Sequence, residues 1–176
     1  MYSTIENAIN IVNAQVGTPF ECYLYNFHGN TEPYHTSECS EFWTEFFKQL
    51  NIIKVCKIDD STCRPQYKTK EQVLQEGGTQ REQSCSFPIN TMKGFVLADG
   101  SIFYLYYSPT TGLPNSHVST FIGLDVNGIK GPNKWGYDLF YLNLYRERYD
   151  ISTIAITALC ELIEKGGQSA ESLLTE

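Results

Sequence analysis

The sequence predicts an α+β domain in which an N-terminal helix packs on a four-stranded antiparallel sheet, with a cysteine-bearing loop region between them. Apolar residues follow helical spacing in the first half, and β-prone residues alternate in the second half. Because the helical patterns precede the strand patterns, the expected sheet is antiparallel. At 176 residues the chain is long enough for one domain, predicted over residues 1–165 and followed by a polar, flexible tail over 166–176.

Two helices are predicted in the first half. Residues 3–16 place apolar side chains every three or four positions, and this helix is expected to end at Gly17. A second helix is predicted at about 40–50, where Phe42, Phe46 and Leu50 share one face. Residues 56–93 contain two prolines and a Gly-Gly pair, so they are expected to be mostly loop with a short helix near 70–76.

Four strands and a last helix are predicted in the second half. The segment FVLADGSIFYLYY is typical of a hairpin that turns at Asp99 and Gly100. Two further strands are expected within residues 117–128 and 137–145, and a loop rich in Gly, Asn and Asp joins them. The last helix is predicted at about 151–165.

The acidic composition argues against one class of partner. The net charge is −7, and no run of Lys and Arg offsets it. Because nucleic-acid binding requires a basic face, the sequence predicts no nucleic-acid partner.

The cysteines bear on the cellular compartment. Their even number and the absence of a C-x-x-C pair argue against a zinc site and favour up to three disulfides in an exported protein. Six reduced thiols in a cytosolic protein are the alternative, and six cysteines allow 15 pairings. The chain begins without a signal-peptide pattern, so it is expected to be either cytosolic or a soluble part whose targeting segment is missing. The disulfide candidates are Cys22, Cys39, Cys56, Cys63, Cys85 and Cys160.

The motifs that would indicate catalysis are not found in the sequence. His28, His35 and His117 have polar, loop-like neighbours and no nucleophile signature beside them. The segment GIKGPNKWG lacks the Walker pattern and lies between strands. We therefore predict a non-enzyme with no catalytic residues.

The loop between the two late strands is a candidate calcium site. Asp125 and Asn127 have the i, i+2 spacing of oxygen ligands that a hard cation favours, and Asn133 and Asp138 could approach from the other side. The loop is not an EF-hand, because its twelfth position from Asp125 is Gly136. The alternative is purely structural. Under it, Asp and Asn side chains would satisfy turn amides, while three glycines would supply positive φ: Gly128, Gly131 and Gly136.

The segment LDVNGIKGPNKWGYDLFYL resembles the C-terminal signature of prepilin-type proteins, the minor pilins and pseudopilins of type IV pili and type II secretion systems. In that family an Asp-x-Asn-Gly…Gly-Pro-Asn…Gly-x-Asp-x-Phe segment links two late strands. The initial helix, FFKQLNIIKVC with a second cysteine after it, the FVLADGS hairpin and the late cysteine agree with the family pattern at a coarser level. The resemblance covers residues 5–165, and its specific part is 125–140.

The resemblance implies a pilin-like fold and a structural role. The family's long N-terminal helix begins as a membrane anchor and filament core, and its second half packs on an antiparallel sheet. By this resemblance the chain is the soluble headpiece without its anchor, lies outside the inner membrane and has other pilin or pseudopilin subunits as partners. Major pseudopilins bind calcium in a late loop, which adds weight to Asp125, Asn127, Asn133 and Asp138 as candidate ligands.

A second function class remains open. The many tyrosines and Trp135 suit an extracellular binding or adhesion module that recognises carbohydrate through exposed aromatic rings. The competing explanation is that aromatic residues in a sheet protein form half-buried cross-strand pairs.

Overall fold

The computed structural model describes residues 2–16, 36–57, 60–61, 63–81, 89, 92–105, 120–146, 154–157 and 161–174. Four α-helices lie in these ranges: α1 (Tyr2–Val16), α2 (Thr36–Gln49), α3 (Lys70–Gln75) and α4 (Ala170–Leu174). The first three confirm the predicted helices, although α2 begins four residues earlier than position 40. None of the helices within the described ranges is long and apolar enough to cross a membrane.

The described strands form one large sheet and one small one. In chain order they are β1 (Ile52–Cys56), β2 (Thr79–Gln80), β3 (Lys93–Leu97), β4 (Ile102–Leu105), β5 (Thr120–Asp125), β6 (Leu139–Arg146), β7 (Ile154–Thr157) and β8 (Leu162–Ile163). Six strands form the large sheet in the spatial order β1-β3-β4-β5-β6-β7, and β2 pairs with β8. Every neighbouring pair is antiparallel, so the predicted α+β class is confirmed.

The strand count and the last helix differ from the predictions. The four predicted strands correspond to β3, β4, β5 and β6, whereas β1 and β7 extend the sheet at its two edges, giving six. The helix predicted over 151–165 is wrong, because β7 and β8 lie there. Three of the four residues in the β7 sequence IAIT are β-branched, a composition that favours a strand over a helix.

One face of the large sheet packs against α1 and α2. Side chains from β3, β4, β5 and β6 form one buried apolar cluster with both helices. Aromatic rings contribute much of this contact, since Phe46 of α2 lies 5.9 Å from Phe103 and Phe47 lies 4.8 Å from Phe95, centroid to centroid. The apolar stripe predicted for the first helix is confirmed, with Ile5, Ala8, Ile9 and Val12 buried.

The opposite face of the sheet is covered by a second layer. This layer consists of residues 64–69, α3, the β2–β8 pair and the loop that carries Trp135, and it buries Ile102, Tyr104, Leu139 and Tyr141. Residues 56–93 were expected to be mostly loop, and part of that segment forms this layer. Within the segment 166–176, predicted to be a flexible tail, the structure has α4 and a buried Ala170.

Candidate functional site

The β5–β6 loop, residues 126–138, closes the end of the sheet where β5 finishes. Gly128, Gly131 and Gly136 have φ values of 56°, 75° and 78°, so the predicted positive φ is confirmed at all three. Asn133 also has a positive φ of 55°. At Gly128 a Cβ atom would lie 2.1 Å from the carbonyl oxygen of Gly100, so the loop contacts the β3–β4 turn through bare backbone. Only glycine satisfies both requirements at this position.

Asp125 is the buried carboxylate at the start of the loop. It points to the second layer, away from α1 and α2, and is 0 % exposed. Its Oδ1 accepts hydrogen bonds from the backbone N–H groups of Asn127 (3.1 Å) and Gly128 (2.6 Å). Its Oδ2 accepts one from the Tyr67 hydroxyl at 2.6 Å. The carboxylate therefore holds the loop on one side and residues 64–69 on the other.

The acid–base properties of Asp125 follow from its burial. The pKa of Asp125 is raised to about 6, chiefly because burial disfavours the charged carboxylate. The hydrogen bond from Tyr67 lowers this pKa, and the negative charge of Asp138 raises it further. The hydroxyl groups of Tyr67 and Tyr104 lie 2.7 Å apart, and burial raises the pKa of both far above neutrality. The Arg64 guanidinium lies 5.1 Å from the centroid of the Tyr104 ring. Both tyrosines thus stay protonated and serve as hydrogen-bonding groups.

Asp138 shapes the far end of the loop. Its Oδ2 accepts from the Asn133 N–H and its Oδ1 from the Lys134 N–H, each at 2.7 Å. Its backbone carbonyl accepts from the Val126 N–H at 2.8 Å, which joins the two ends of the loop. The predicted capping of turn amides is therefore confirmed for both aspartates.

Trp135 ties the loop to the second layer and to the C-terminal segment. The sequence suggested an exposed Trp135 as an aromatic platform, but it is 3 % exposed, so that expectation is wrong for this residue. Its indole N–H donates to the Lys68 carbonyl at 2.9 Å. Its backbone N–H donates to Glu164, whose other carboxylate oxygen accepts from the Lys68 ammonium at 2.7 Å. Tyr137 of the same loop is 45 % exposed.

In this structure the two aspartates among the four candidate calcium ligands accept hydrogen bonds from the loop's own backbone. Calcium takes six to eight oxygen ligands. The hydrogen bonds to Asp125 and Asp138 use part of the acceptor capacity of both carboxylates. Asn127 is exposed, and the Asn133 Oδ1 atom is buried without a hydrogen-bond partner in the described part of the chain. The described residues contain no group of three or more His, Cys, Asp or Glu side chains placed to hold a metal ion.

Calcium is accordingly expected to leave stability unchanged. We predict the same midpoint of thermal unfolding, within about 1 °C, in ~1 mM CaCl₂ and in EDTA, with MgCl₂ as the ionic-strength control. A bound ion at a hundredfold excess over its Kd would add about 2.7 kcal/mol, which at this chain length raises the midpoint by several degrees. A calcium-specific rise of that size would restore the four residues as ligands.

One of the predicted disulfides lies within the described residues. Cys56 and Cys63, two of the six candidates, are bonded across the short CKIDDSTC loop, with their Cα atoms 5.7 Å apart. The bond ties the end of β1 to the start of the segment that carries Arg64 and Tyr67. Cys22, Cys85 and Cys160 lie outside the described residues, as does the side chain of Cys39.

Sequence reasoning missed Tyr67, Lys68 and Glu164. They lie 58, 67 and 29 positions from the loop residues they contact, and no local pattern predicts such pairings. The three histidines considered in the sequence, His28, His35 and His117, lie outside the described residues. Comparison with protein-family models, with curated proteins and with solved structures found no match.

Proposed function

We propose that the protein is a non-catalytic structural or assembly subunit, the headpiece of a minor pilin or pseudopilin in a type IV pilus or type II secretion-like filament. The observation that carries the proposal is the position of α1, which comes first in the chain and shares one apolar core with an antiparallel sheet. The prepilin-type proteins that residues 125–140 resemble have this order. Their N-terminal helix extends from a membrane anchor, and its second half packs on the sheet.

The cysteines support an extracytoplasmic location for this headpiece. The Cys56–Cys63 disulfide is the kind of bond that persists in oxidising compartments such as the periplasm and the cell surface. In this proposal the partners are other pilin or pseudopilin subunits. Contact with the membrane would run through an anchor N-terminal to α1.

The chemistry of the loop supports a role without catalysis. Asp125 and Asp138 accept hydrogen bonds from the loop's own backbone, and Trp135 and Glu164 join the loop to its neighbours. These groups hold together three segments of the chain, namely the β5–β6 loop, residues 64–69 and the residues that follow β8. A connection of this kind suits a rigid subunit that presents a fixed surface.

The proposal predicts that the exposed face of α1 contacts neighbouring subunits. Ile11 of α1 is 43 % exposed and lies outside the core. In the precursor with its anchor, expressed in the native cells, Ile11→Glu should lower incorporation into sheared filaments at least tenfold, because a carboxylate would be buried at a subunit contact. Immunoblotting of sheared and cell-bound fractions measures this ratio.

Leu74 provides the matched control. It is 42 % exposed on α3, over the opposite face of the sheet, so Leu74→Glu adds the same charge at the same exposure away from the filament axis. We expect this variant to incorporate like the wild type. Equal incorporation of both variants would refute the role of α1, and a wild-type protein absent from the filament fraction would refute the subunit assignment.

A further inference from the structure

The Asn127–Gly128 pair in the β5–β6 loop has a chemical reactivity apart from its place in the turn. Asn127 is the only asparagine in the sequence that glycine follows. In such a pair the backbone nitrogen of the glycine can attack the side-chain amide of the asparagine, because glycine has no side chain to hinder the approach. The pair is therefore a candidate for spontaneous deamidation, which alters both the side chain and the backbone.

Deamidation at this pair passes through a five-membered ring. The backbone nitrogen of Gly128 loses its proton and bonds to Cγ of Asn127, and the side-chain nitrogen leaves as ammonia with that proton. Water then opens the succinimide at either of its two carbonyl groups, which leaves aspartate or isoaspartate at position 127. The reaction consumes water and releases ammonia, and it requires no oxidant or reductant.

The side chain of Asn127 is available for this reaction. The residue is exposed, and its side chain makes no capping hydrogen bond to the 3₁₀ turn Gly128–Lys130 that follows it. The group of Asn127 that binds Asp125 is the backbone N–H, at 3.1 Å from Oδ1. The amide that would be attacked can therefore rotate, and any protection has to come from the nitrogen that attacks it.

The nitrogen of Gly128 is held by a buried carboxylate. Its N–H donates to Oδ1 of Asp125 at 2.6 Å, and Asp125 is 0 % exposed. A hydrogen bond to an ionised carboxylate is charge-assisted and strong. Removing the proton of Gly128 would break this bond and leave a negative nitrogen beside a negative carboxylate, so the reactive form is disfavoured.

The backbone geometry of Asn127 adds to this protection. Ring closure requires Cβ of Asn127 and the nitrogen of Gly128 to be eclipsed about the Cα–C bond, and the ψ of −10° at Asn127 is far from that arrangement. The peptide plane between the two residues would have to rotate, which breaks the hydrogen bond to Asp125. Gly128 also lies against the β3–β4 turn, since a Cβ there would be 2.1 Å from the carbonyl oxygen of Gly100.

We propose that Asn127 is a latent modification site, which deamidates when the β5–β6 loop opens and is protected in the closed loop by the hydrogen bond from Gly128 to Asp125. The rate of deamidation then follows the population of the open loop. Isoaspartate would insert its Cβ into the main chain where the loop lies closest to Gly100, so the modified loop would not regain this contact. The reaction is independent of the proposed filament role.

Mass spectrometry measures the modification, because a carboxylate is heavier than the amide it replaces. The tryptic peptide that ends at Lys130 contains the site, and fragmentation locates the change. We expect the folded protein to deamidate at Asn127 at least about tenfold more slowly than the same chain unfolded in urea, at one mildly alkaline pH and one temperature. Equal rates would mean that the loop gives no protection and would overturn the proposal.

Asn127→Gln is the control for the site of reaction. Glutamine would have to close a larger, six-membered ring, so the mass gain of this peptide should be lost in the unfolded chain. A mass gain of unchanged rate in Asn127→Gln would place the reaction at another residue and would refute the assignment to Asn127.

Asp125→Ala tests the protecting hydrogen bond. The variant removes the acceptor, so deamidation of the folded protein should become at least about tenfold faster. Ile9→Val is the matched control, because Ile9 is buried in the apolar cluster with α1 and α2 and its truncation lowers global stability without touching the loop. This control should change the rate by less than about twofold, since it leaves local opening of the loop unaffected.

Asp125→Asn gives a readout that remains if Asp125→Ala fails to fold. It keeps an acceptor oxygen and removes the charge, so we expect a rate between those of the wild type and Asp125→Ala. Slower deamidation in either folded variant would make Asp125 a base that assists the reaction and would contradict the proposal. An equal acceleration in Ile9→Val would also overturn it, because global unfolding would then be what exposes the pair.

Discussion

Replacing Gly128 with alanine is expected to lower the free energy of unfolding by at least about 2 kcal/mol. The residue has a φ of 56°, and an added Cβ would lie 2.1 Å from the Gly100 carbonyl oxygen. Because that oxygen belongs to the backbone, relief requires the β5–β6 loop to move away from the β3–β4 turn. Urea unfolding followed by tryptophan fluorescence measures the loss, since Trp135 lies within the same loop.

Gly100→Ala separates the clash from the backbone strain. Gly100 also has a positive φ, 89°, but a Cβ there meets nothing within 4 Å. Gly100→Ala should therefore lower the free energy of unfolding by only about 1 kcal/mol, the cost of a positive φ at alanine. If the two variants lose the same stability, the close contact between Gly128 and Gly100 does not constrain the loop in solution.

Asp125 is expected to make the protein less stable as the pH rises from about 4 to about 6. Its pKa is raised from the ordinary value of 3.8 to about 6 in the folded state, chiefly by burial. Between these values the folded protein binds more protons than the unfolded chain, so the free energy of unfolding falls with increasing pH. A pKa shift of this size contributes up to about 3 kcal/mol to the free energy of unfolding. This contribution is present at pH 4 and lost above pH 6.

The measurement compares the wild type with Asp125→Asn from pH 4 to pH 7. The asparagine keeps an oxygen for the N–H groups of Asn127 and Gly128 but does not titrate, so the other carboxyl groups cancel in the difference. We expect the wild type to lose about 2–3 kcal/mol relative to the variant over this range. Glu45→Gln, which removes a surface carboxylate paired with Lys48, should give a difference that is constant within about 0.5 kcal/mol. If the difference in stability between the wild type and Asp125→Asn does not change with pH, the raised pKa of buried Asp125 is contradicted.

Much of the central fold was predictable because its signals are local. The stripe of Ile5, Ile9 and Val12 indicates a helix with one buried face, and the FVLADGS segment indicates a hairpin. The positive φ of the glycines in the β5–β6 loop and the hydrogen bonds of its two aspartates to turn amides were also predictable from the sequence. Positive φ and turn amides are satisfied within a few residues of the chain.

The errors arose where the sequence pattern is short. Strand β1 follows closely after α2 and was not predicted, and β7, which has four residues, was assigned to a helix. Short apolar segments fit a helix or a strand equally well until a neighbouring strand supplies backbone hydrogen bonds. The edges of the sheet were therefore the part of the fold that pattern alone described worst.

The sequence by itself determined that the chain forms an α+β domain with an antiparallel sheet, and that residues 125–140 form a tight, capped connection. Only the tertiary structure decided that this connection lies beneath Tyr67, Lys68 and Glu164, and that Trp135 is buried rather than exposed. The physical reason is the range of each interaction. Backbone geometry and turn hydrogen bonds act over a few residues, whereas burial and the pKa of Asp125 depend on segments that fold back from distant parts of the chain.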